Sequence, residues 1–320
     1  MACGNSSSGL RSTTGDLVQR IRLGIIGTGR WGSRYVETVG RIWSTGEVLI
    51  SDTAGGRGTG RADAVRWDSP AALIRNAAID GVIIASPATT HYAITTLALD
   101  AALPVLVEKP LALSLSETRS IRDLAEARGS TVMVGHQHLH APAFREMRER
   151  IAGRAVSTIS STAGGDGPVR PDCDVLWDYG PHDIAMALDL LGDKDPVTEV
   201  FARCEVSGPG RQTWHVGISV GETLVTSRFT NSATVKHHRF RVRLVDGDEF
   251  WYDTFAAHLL TVNGVPIGIA ETLPLDKQIQ TFVAAIRGDD VHSSGADLAL
   301  AVRVAEVLAG ASATPTITYV

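Results

Sequence analysis

The run Ile-Arg-Leu-Gly-Ile-Ile-Gly-Thr-Gly-Arg-Trp-Gly, residues 21 to 32, limits the fold of this chain more than any other stretch. It joins a β-prone apolar segment to Gly27, Gly29 and Gly32 in the spacing GxGxxG, and the amphipathic segment "SRYVETVGRIW" follows at once. A strand that ends on such glycines and turns directly into a helix is the start of a βαβ unit in a parallel sheet. There Gly27 makes the tight turn, Gly29 lets a pyrophosphate approach the backbone, and Gly32 lets helix and sheet pack closely. Thr28, Arg30 and Trp31 fill the same loop, where the helix N-terminus faces the anion. The motif by itself is a weak signal, and its place between strand and helix strengthens it. Asp52 closes the next apolar run, "EVLIS", 20 residues past Gly32. An acid there accepts hydrogen bonds from ribose hydroxyls and repels a 2′-phosphate, which favours NAD. Ser51, Arg57 and Arg61, around a glycine-rich run, leave NADP open.

The same rhythm continues through the strand candidates "GVIIAS", "LPVLVE" and "STVMVG", separated by the helical segments "THYAITTLALDAA" and "SLSETRSIRDLAEARG". The second of these helices opens with Ser114 and Glu117 as a capping box. After "APAFREMRERIAGR", a helix ending at Gly153, long β-prone stretches with tight glycine turns such as "VDGDEF" follow one another, the pattern of an antiparallel sheet. Two helices, "PLDKQIQTFVAAIRG" and "ADLALAVRVAEVLAG", close the chain. A length of 320 residues suits two cores. The expected fold class is α/β. A flexible polar leader (1–20) precedes a Rossmann dinucleotide-binding domain (21–138), and an α+β domain with an open, mainly antiparallel sheet (139–320) follows.

Thirty Lys and Arg stand against thirty-five Asp and Glu, a net charge of −5 with no basic stripe, which argues against nucleic acid as a partner. No window holds the roughly 18 uninterrupted apolar residues of a membrane span. Cys3, Cys173 and Cys204 have neither CxxC nor zinc-site spacing and read as ordinary thiols of a reducing compartment. With no apolar signal core in the leader, a cytoplasmic protein is expected.

Loops at the C-terminal ends of parallel strands build the ligand crevice. "ASPATTHY" brings Ser86, Pro87 and His91 to that edge, although Thr90 could simply cap a helix with His91 idle in its first turn. "VEKPL" brings Glu108 and Lys109, with Pro110 fixing the chain direction. A lysine there can donate a hydrogen bond to a hydroxyl becoming a carbonyl; the plainer alternative is a surface ion pair. In "DYGPHD" Asp178 and His182 stand four apart. They share a face if one helix runs through them, with Pro181 removing a donor; if the helix begins at Pro181, Gly180 is its cap. Asp183 reads as a helix-dipole complement. His136, His138 and His140 would share a face on a continuing strand, but no acidic ligand clusters near them in sequence and no metal is expected. His237 and His238 read as exposed on opposite faces of a strand. Trp177, Trp214 and Trp251 read as packing residues, with Trp177 close enough to the motif to border a sugar.

The ordered set GxGxxG, "SPATTHY", "VEKPLALS", "VMVGH" and "DYGPHD", over roughly residues 21 to 310, resembles the Gfo/Idh/MocA oxidoreductases, the glucose–fructose oxidoreductase and inositol dehydrogenase superfamily. The resemblance implies a second domain whose open sheet builds homodimers or homotetramers on its outer face. It also implies NAD(P)-dependent hydride transfer at a hydroxyl or carbonyl carbon of a sugar, cyclitol or nucleotide sugar. By position, Lys109 matches the lysine of the family's Glu-Lys-Pro motif, and Asp178 and His182 match its Asp-x-x-x-His motif. His182 is then the proton-transfer group, Asp178 orients that ring or holds a substrate hydroxyl, and Lys109 stabilises charge on oxygen. Gly27, Thr28, Gly29, Arg30, Trp31, Gly32, Asp52, Ser86, Pro87, His91, Glu108 and Lys109 are the expected cofactor contacts. The superfamily also holds NAD-dependent glycoside hydrolases and non-catalytic regulators; retention of Lys109 and His182 ranks the regulator last. The glycine-broken "TAGGRGTGRADAVRW" and the histidines of "QHLH" depart from the family pattern.

Overall fold

The computed structural model describes residues 21–43, 47–52, 64–167, 169–289, 298–313 and 315–319. The leader, Cys3, Arg57 and Arg61 lie outside them. The first half alternates strands and helices: β1 (Arg22–Ile26), α1 (Arg30–Ile42), β2 (Glu47–Ser51), β3 (Val65–Trp67), α2 (Pro70–Asn76), β4 (Gly81–Ile84), α3 (His91–Asp100), β5 (Val105–Val107), α4 (Leu115–Arg128) and β6 (Val132–Val134). The six strands are all parallel, in the order β3-β2-β1-β4-β5-β6 of a doubly wound sheet. Their apolar runs lack alternation because both faces are buried. Ile25, Ile83 and Leu106 face one side of the sheet and Ile26, Ile84 and Val107 the other. The edge strand β3 stands where the sequence offered only a glycine-broken segment. Ser114 caps α4 as expected, its hydroxyl accepting from the Glu117 amide at 3.2 Å.

The second half comprises α5 (Pro142–Ile151), β7 (Val156–Gly164), α6 (Val175–Leu191), β8 (Val197–Gly208), β9 (Arg211–Val220), β10 (Thr223–Thr230), β11 (His237–Leu244), β12 (Glu249–Asp253), β13 (Leu260–Val262), β14 (Val265–Pro266), α7 (Pro274–Ile286), α8 (Leu298–Ala313) and β15 (Thr316–Tyr319). Nine strands form one open sheet in the order β14-β13-β12-β11-β7-β10-β9-β8-β15. It is mostly antiparallel, but β7 pairs with β10 and β8 with β15 in parallel, so the sheet is mixed. Its inner face, with Trp214, Val216, Ile218, Phe229, Phe240 and Val242, packs on α6 and α8.

The closing helices correct the domain boundaries drawn from sequence. Ile279, Phe282 and Val283 of α7 pack with Leu23, Ile25 and Ile83 of the first sheet. A fork of two hydrogen bonds from Arg41 to Asp276, 2.5 and 2.6 Å, fastens α7 beside α1. On that face α1 is the other helix in the cluster, whereas α2, α3 and α4 cover the opposite one. A parallel sheet must be covered on both faces, so residues from the far end of the chain complete the first core. In α8, Ala301 belongs to the first core and Val307 and Leu308 to the second. Among the described residues no helix is long and apolar enough to cross a membrane.

Candidate active site

The C-terminal edge of the first sheet and one end of the second enclose a cleft of about 1250 Å³. The glycine loop forms its first wall. Gly27 has φ +86°, and a Cβ there would lie 2.7 Å from the Ser86 amide nitrogen. A Cβ on Gly32 would lie 1.8 Å from the Gly27 carbonyl oxygen, so neither position admits a side chain. Around Gly29, by contrast, nothing lies within 4 Å of a built Cβ. Gly29 is also the N-cap of α1 and offers no side chain to the first amides, and that turn contains no acid. Arg30, Trp31 and Arg34 line the same wall, the Arg34 guanidinium stacked 4.8 Å from the Trp31 ring centroid. Open backbone, uncapped amides and basic side chains fit a dinucleotide pyrophosphate. Asp52 lines the wall too, and its Oδ2 accepts from the Thr28 amide at 3.0 Å and from the Thr28 hydroxyl. That places the acid where ribose hydroxyls are expected, braced against the glycine loop.

The next two crevice loops are held from within. His91 is buried, with Nδ1 2.7 Å from the Pro110 carbonyl and Nε2 2.9 Å from that of Ser86. Both ring nitrogens face backbone carbonyls, and the neutral ring donates to one of them, so His91 sits between the two loops at the edge of the cleft. Burial holds it below the usual imidazole range against two backbone bonds that pull the other way. Thr90 stands at the N-cap of α3, but its side chain makes no cap bond; the hydroxyl meets Ser86 Oγ at 2.6 Å and the Pro87 carbonyl at 2.7 Å. Glu108 also lines the cleft, with its carboxylate turned towards the first domain. It is 7% exposed, and its Oε1 accepts from the Tyr35 hydroxyl of α1 at 2.7 Å.

Burial pushes the Glu108 carboxyl up, offset in part by the Tyr35 hydrogen bond and the Lys109 charge. A carboxyl raised on folding lends stability that is full below its unfolded pKa, near ~4.3, and is lost as pH climbs through the folded value. Tyr35→Phe removes the donor and raises that value further. The expected cost is about 1–3 kcal/mol at pH 8 and less at pH 5. Thermal melts of the variant and parent at both pH values measure it; equal losses would remove Glu108 from the explanation.

Lys109 ends the third loop, 8% exposed. Its Nζ donates to the Asp178 carbonyl at 2.5 Å and to Asp178 Oδ1 at 2.8 Å. An ammonium has three N–H bonds, so one remains for the cleft. Asp178 and His182 lie on one α6 helix, which begins at Val175 with Asp174 as its cap and carries Pro181 inside it. The continuous helix is thus the geometry that forms, and its i, i+4 spacing turns both side chains to the cleft. Asp178 does not orient the histidine, however. Its Oδ1 also accepts from Arg170 at 2.9 Å, and burial, which would raise its carboxyl, is outweighed by Lys109 and Arg170, which hold it below the usual range. Arg170 additionally grips Asp172, whose Oδ2 accepts the Ala88 amide at 3.2 Å and so ties the second domain to the first. Neither Arg170 nor Asp172 stands out in the sequence, where nothing about "GPVRPDCD" distinguishes a site arginine from a loop arginine. Cys173, between them and the helix, is pushed up to about 12 by burial and stays a thiol. Trp177 is core, its Nε1 3.3 Å from Ser312 Oγ on α8.

The His182 ring sits among other histidines. His136 and His138 do not continue a strand; residues Gln137–His140 form a 3-10 turn, so the shared strand face does not exist. His138 packs edge-on against His182, ring centroids 4.9 Å apart, and His136 lies 6.5 Å from it. On the other side of His138, at 4.4 Å, is His238. His238 is not exposed: it is 7% accessible on the inner sheet face, with Nε2 2.6 Å from Asp183 Oδ1. Asp183, 1% exposed, is accordingly a buried acid and not a dipole complement on a helix surface. Burial, the Lys109 charge and the neighbouring imidazoles hold His182 well below the ordinary range, so the ring is neutral, the form a general base requires.

Residues 21–136 match the family model described as "Oxidoreductase family, NAD-binding Rossmann fold". The chain is 33% identical to inositol 2-dehydrogenase 1 of Saccharopolyspora erythraea over 138 residues, 41% of each chain. It is 25% identical over 289 residues to UDP-N-acetylglucosamine 3-dehydrogenase of Acidithiobacillus ferrooxidans, covering 83% of this chain and 88% of that one. The solved structure of UDP-N-acetylglucosamine 3-dehydrogenase GnnA from Acidithiobacillus ferrooxidans superposes with a TM-score of 0.80 at 21% identity, over 92% of this chain and 98% of that one, a likeness of fold. The matches to the first two inositol dehydrogenases span 41% and 55% of their length, about half. The doubly wound sheet and its glycine loop, residues 21–136, are thus the part of the chain that matches the NAD-binding Rossmann fold of this oxidoreductase family.

Proposed function

We propose that this protein is an NAD(P)-dependent dehydrogenase that moves a hydride between nicotinamide and a hydroxyl or carbonyl carbon of a sugar, cyclitol or nucleotide sugar. The observation that carries this reading is the convergence of Lys109, Asp178 and His182 in the same cleft as the glycine loop. When bound, the nicotinamide accepts or returns the hydride. His182 takes the hydroxyl proton on oxidation and gives it back on reduction. Its Nδ1 is buried, so Nε2 is the ring nitrogen left to face the cleft. The remaining N–H of Lys109 donates to the reacting oxygen, and Asp178 holds that ammonium in place with help from Arg170. Polar groups at the far end of the cleft, Gln212, Asn231, Lys236 and His237, suit a hydroxyl-rich substrate. Asp52 beside the glycine loop favours NAD over NADP. The names of the relatives, inositol and UDP-N-acetylglucosamine dehydrogenases, support the substrate class.

The reading extends to a cytoplasmic homodimer or homotetramer assembled on the outer face of the second sheet, where Phe201 is 53% and Leu224 43% exposed. The test is a panel of inositols, sugars and nucleotide sugars, each with NAD+ and NADP+, followed by absorbance at the reduced nicotinamide band. The expected result is turnover of at least one polyol with NAD+ preferred. Saturable NAD+ binding without turnover of any of them would overturn the dehydrogenase reading and favour a regulator.

A further inference from the structure

The far rim of the cleft is the edge of the second sheet where β9 and β11 begin and β7 and β10 end, and these strands lie side by side. Gln212, Asn231 and Lys236 line the cleft there, each two residues from a side chain of the inner face: Trp214, Phe229 and His238. Gly165 fills the place between Asn231 and Lys236. Its amide donates to the Thr230 carbonyl at 3.2 Å, and a Cβ on it would lie 3.4 Å from Lys236 Cα. Asn231 is spent within the protein, since its Oδ1 accepts the Gln212 backbone amide at 2.9 Å and its Nδ2 donates to the Gly210 carbonyl at 2.7 Å. Gln212 is different. The Trp214 indole N–H, which can only donate, lies 3.1 Å from Gln212 Oε1. That bond fixes which end of the side chain is oxygen and leaves its NH2 group for the cleft. At the other end of the row Lys236 Nζ lies 5.4 Å from the Phe255 ring centroid, and among the described residues no acid pairs with it. The other cations lining the cleft are placed elsewhere: Lys109 and Arg170 hold Asp178, and Arg30 and Arg34 stand at the glycine loop. His237, next in the chain, has the opposite parity and turns Nδ1 to the Val235 carbonyl at 3.0 Å.

An ammonium and a carboxamide NH2 group are donors only. A substrate hydroxyl held between them keeps its own hydrogen without an acceptor, whereas a carboxylate or phosphate accepts from both and gains a charge-assisted bond from the lysine. Three strand spacings, about 14 Å, separate the two Cα atoms, and the long side chains narrow that gap over the bare Gly165. We propose that Gln212 and Lys236 are specificity-determining residues that grip an anionic, acceptor-only substituent of the substrate, a carboxylate or a phosphate ester. The preferred substrate is then an acidic sugar derivative and not a free cyclitol. This deepens the hydride-transfer reading of the same cleft and rests on it. Trp214, read from sequence as packing, has the further role of holding the Gln212 side chain in its donating orientation.

The test measures kcat/KM with NAD+ for glucose and myo-inositol, for glucuronate as the carboxylate arm, and for glucose 6-phosphate and UDP-glucose as the phosphate arm. The parent should favour a member of one anionic arm over glucose by about 10- to 100-fold. Gln212→Glu, which sets an anion where the NH2 group was, and Lys236→Met should each erase about ten-fold of that preference. They should do so through KM far more than through kcat, because the grip is made before hydride transfer as well as during it. Added salt should weaken the preference in the parent more than in Lys236→Met. A defect of folding alone lowers the rate with every member and keeps their ratio. Equal kcat/KM for anionic and neutral members, or a preference that survives both variants, overturns the proposal. Turnover of a neutral sugar alone keeps the hydride-transfer reading and sinks the anion site. If no member is turned over, that reading falls by itself, and calorimetry of the NAD+-saturated protein decides the rest. One of the three anionic compounds should then bind about ten-fold or more tighter than glucose and lose that margin in Lys236→Met; equal affinities overturn the site. If Gln212→Glu does not fold, Lys236→Met, a change at an exposed side chain, carries both measurements.

Discussion

Lys109→Met is expected to lower kcat about 1000-fold and to move the acid limb of its pH profile upward. The first effect follows from geometry. Lys109 is the ammonium at the end of the third crevice loop, already fixed by two hydrogen bonds to Asp178, so its remaining N–H is aimed with little freedom. A donor preorganised in this way stabilises charge developing on the reacting oxygen without reorganisation, and methionine keeps its length but donates nothing. The second effect follows from electrostatics. Burial is the main reason His182 titrates low, and the Lys109 charge is the next. Deleting that cation makes protonated His182 less costly, so the base is quenched at a higher pH than in the parent. His182→Ala should lose turnover on a similar scale, roughly 100- to 10,000-fold, and have no acid limb from this base. Fluorescence titration with NADH should find cofactor affinity within about three-fold of parent for His182→Ala. Parent-like kcat in both variants would remove these residues from the chemistry.

The sequence discloses most where a residue's neighbours are near in the chain. The five strands β1, β2, β4, β5 and β6 could be read because a sheet buried on both faces demands unbroken apolar runs. Edge strand β3 has three residues, two of them exposed, and carries no such run. The histidine array shows both the reach and the limit of pattern. In "HHRFRVRL" the residues His238, Phe240, Val242 and Leu244 share one parity, and three of them are apolar. That alternation places His238 on the buried face. No pattern, however, says that β11 lies beside β7 with His238 opposite Ala163, or that this register presents the ring to Asp183 on α6. Contacts between residues 55 apart are set by sheet order and helix packing, which local periodicity does not encode. The same holds for α7, whose amphipathic face was legible but whose destination, the first sheet, was not. Within α6 the decisive feature is Asp174, whose side chain accepts the Trp177 amide and caps a helix that starts at Val175, well before Pro181.

Two glycines of the cofactor loop should fail in different ways when replaced by alanine. At Gly32 a methyl group would meet the Gly27 carbonyl oxygen at 1.8 Å and its carbon at 2.7 Å, and both are backbone atoms that no rotamer change can move. Helix α1 must then lift from β1, with loss of packing around Tyr35 and Val36 in the core beneath. Overpacking of this kind costs about 1–3 kcal/mol or more, so the melting temperature should fall by roughly 5 °C, and NAD+ affinity should fall with it. Gly29 has negative φ, and nothing in the protein lies within 4 Å of an added Cβ. Gly29→Ala therefore keeps the fold, losing about 1 kcal/mol at most for a poorer helix cap. Its methyl group instead enters the space through which a pyrophosphate reaches the first amides of α1, and NAD+ binding should weaken about ten-fold or more. Calorimetric melts paired with NAD+ titrations separate the two cases. A protein in which Gly29→Ala binds NAD+ as tightly as the parent would not hold its dinucleotide at this helix terminus, and the cofactor assignment built on the loop would fall with that result.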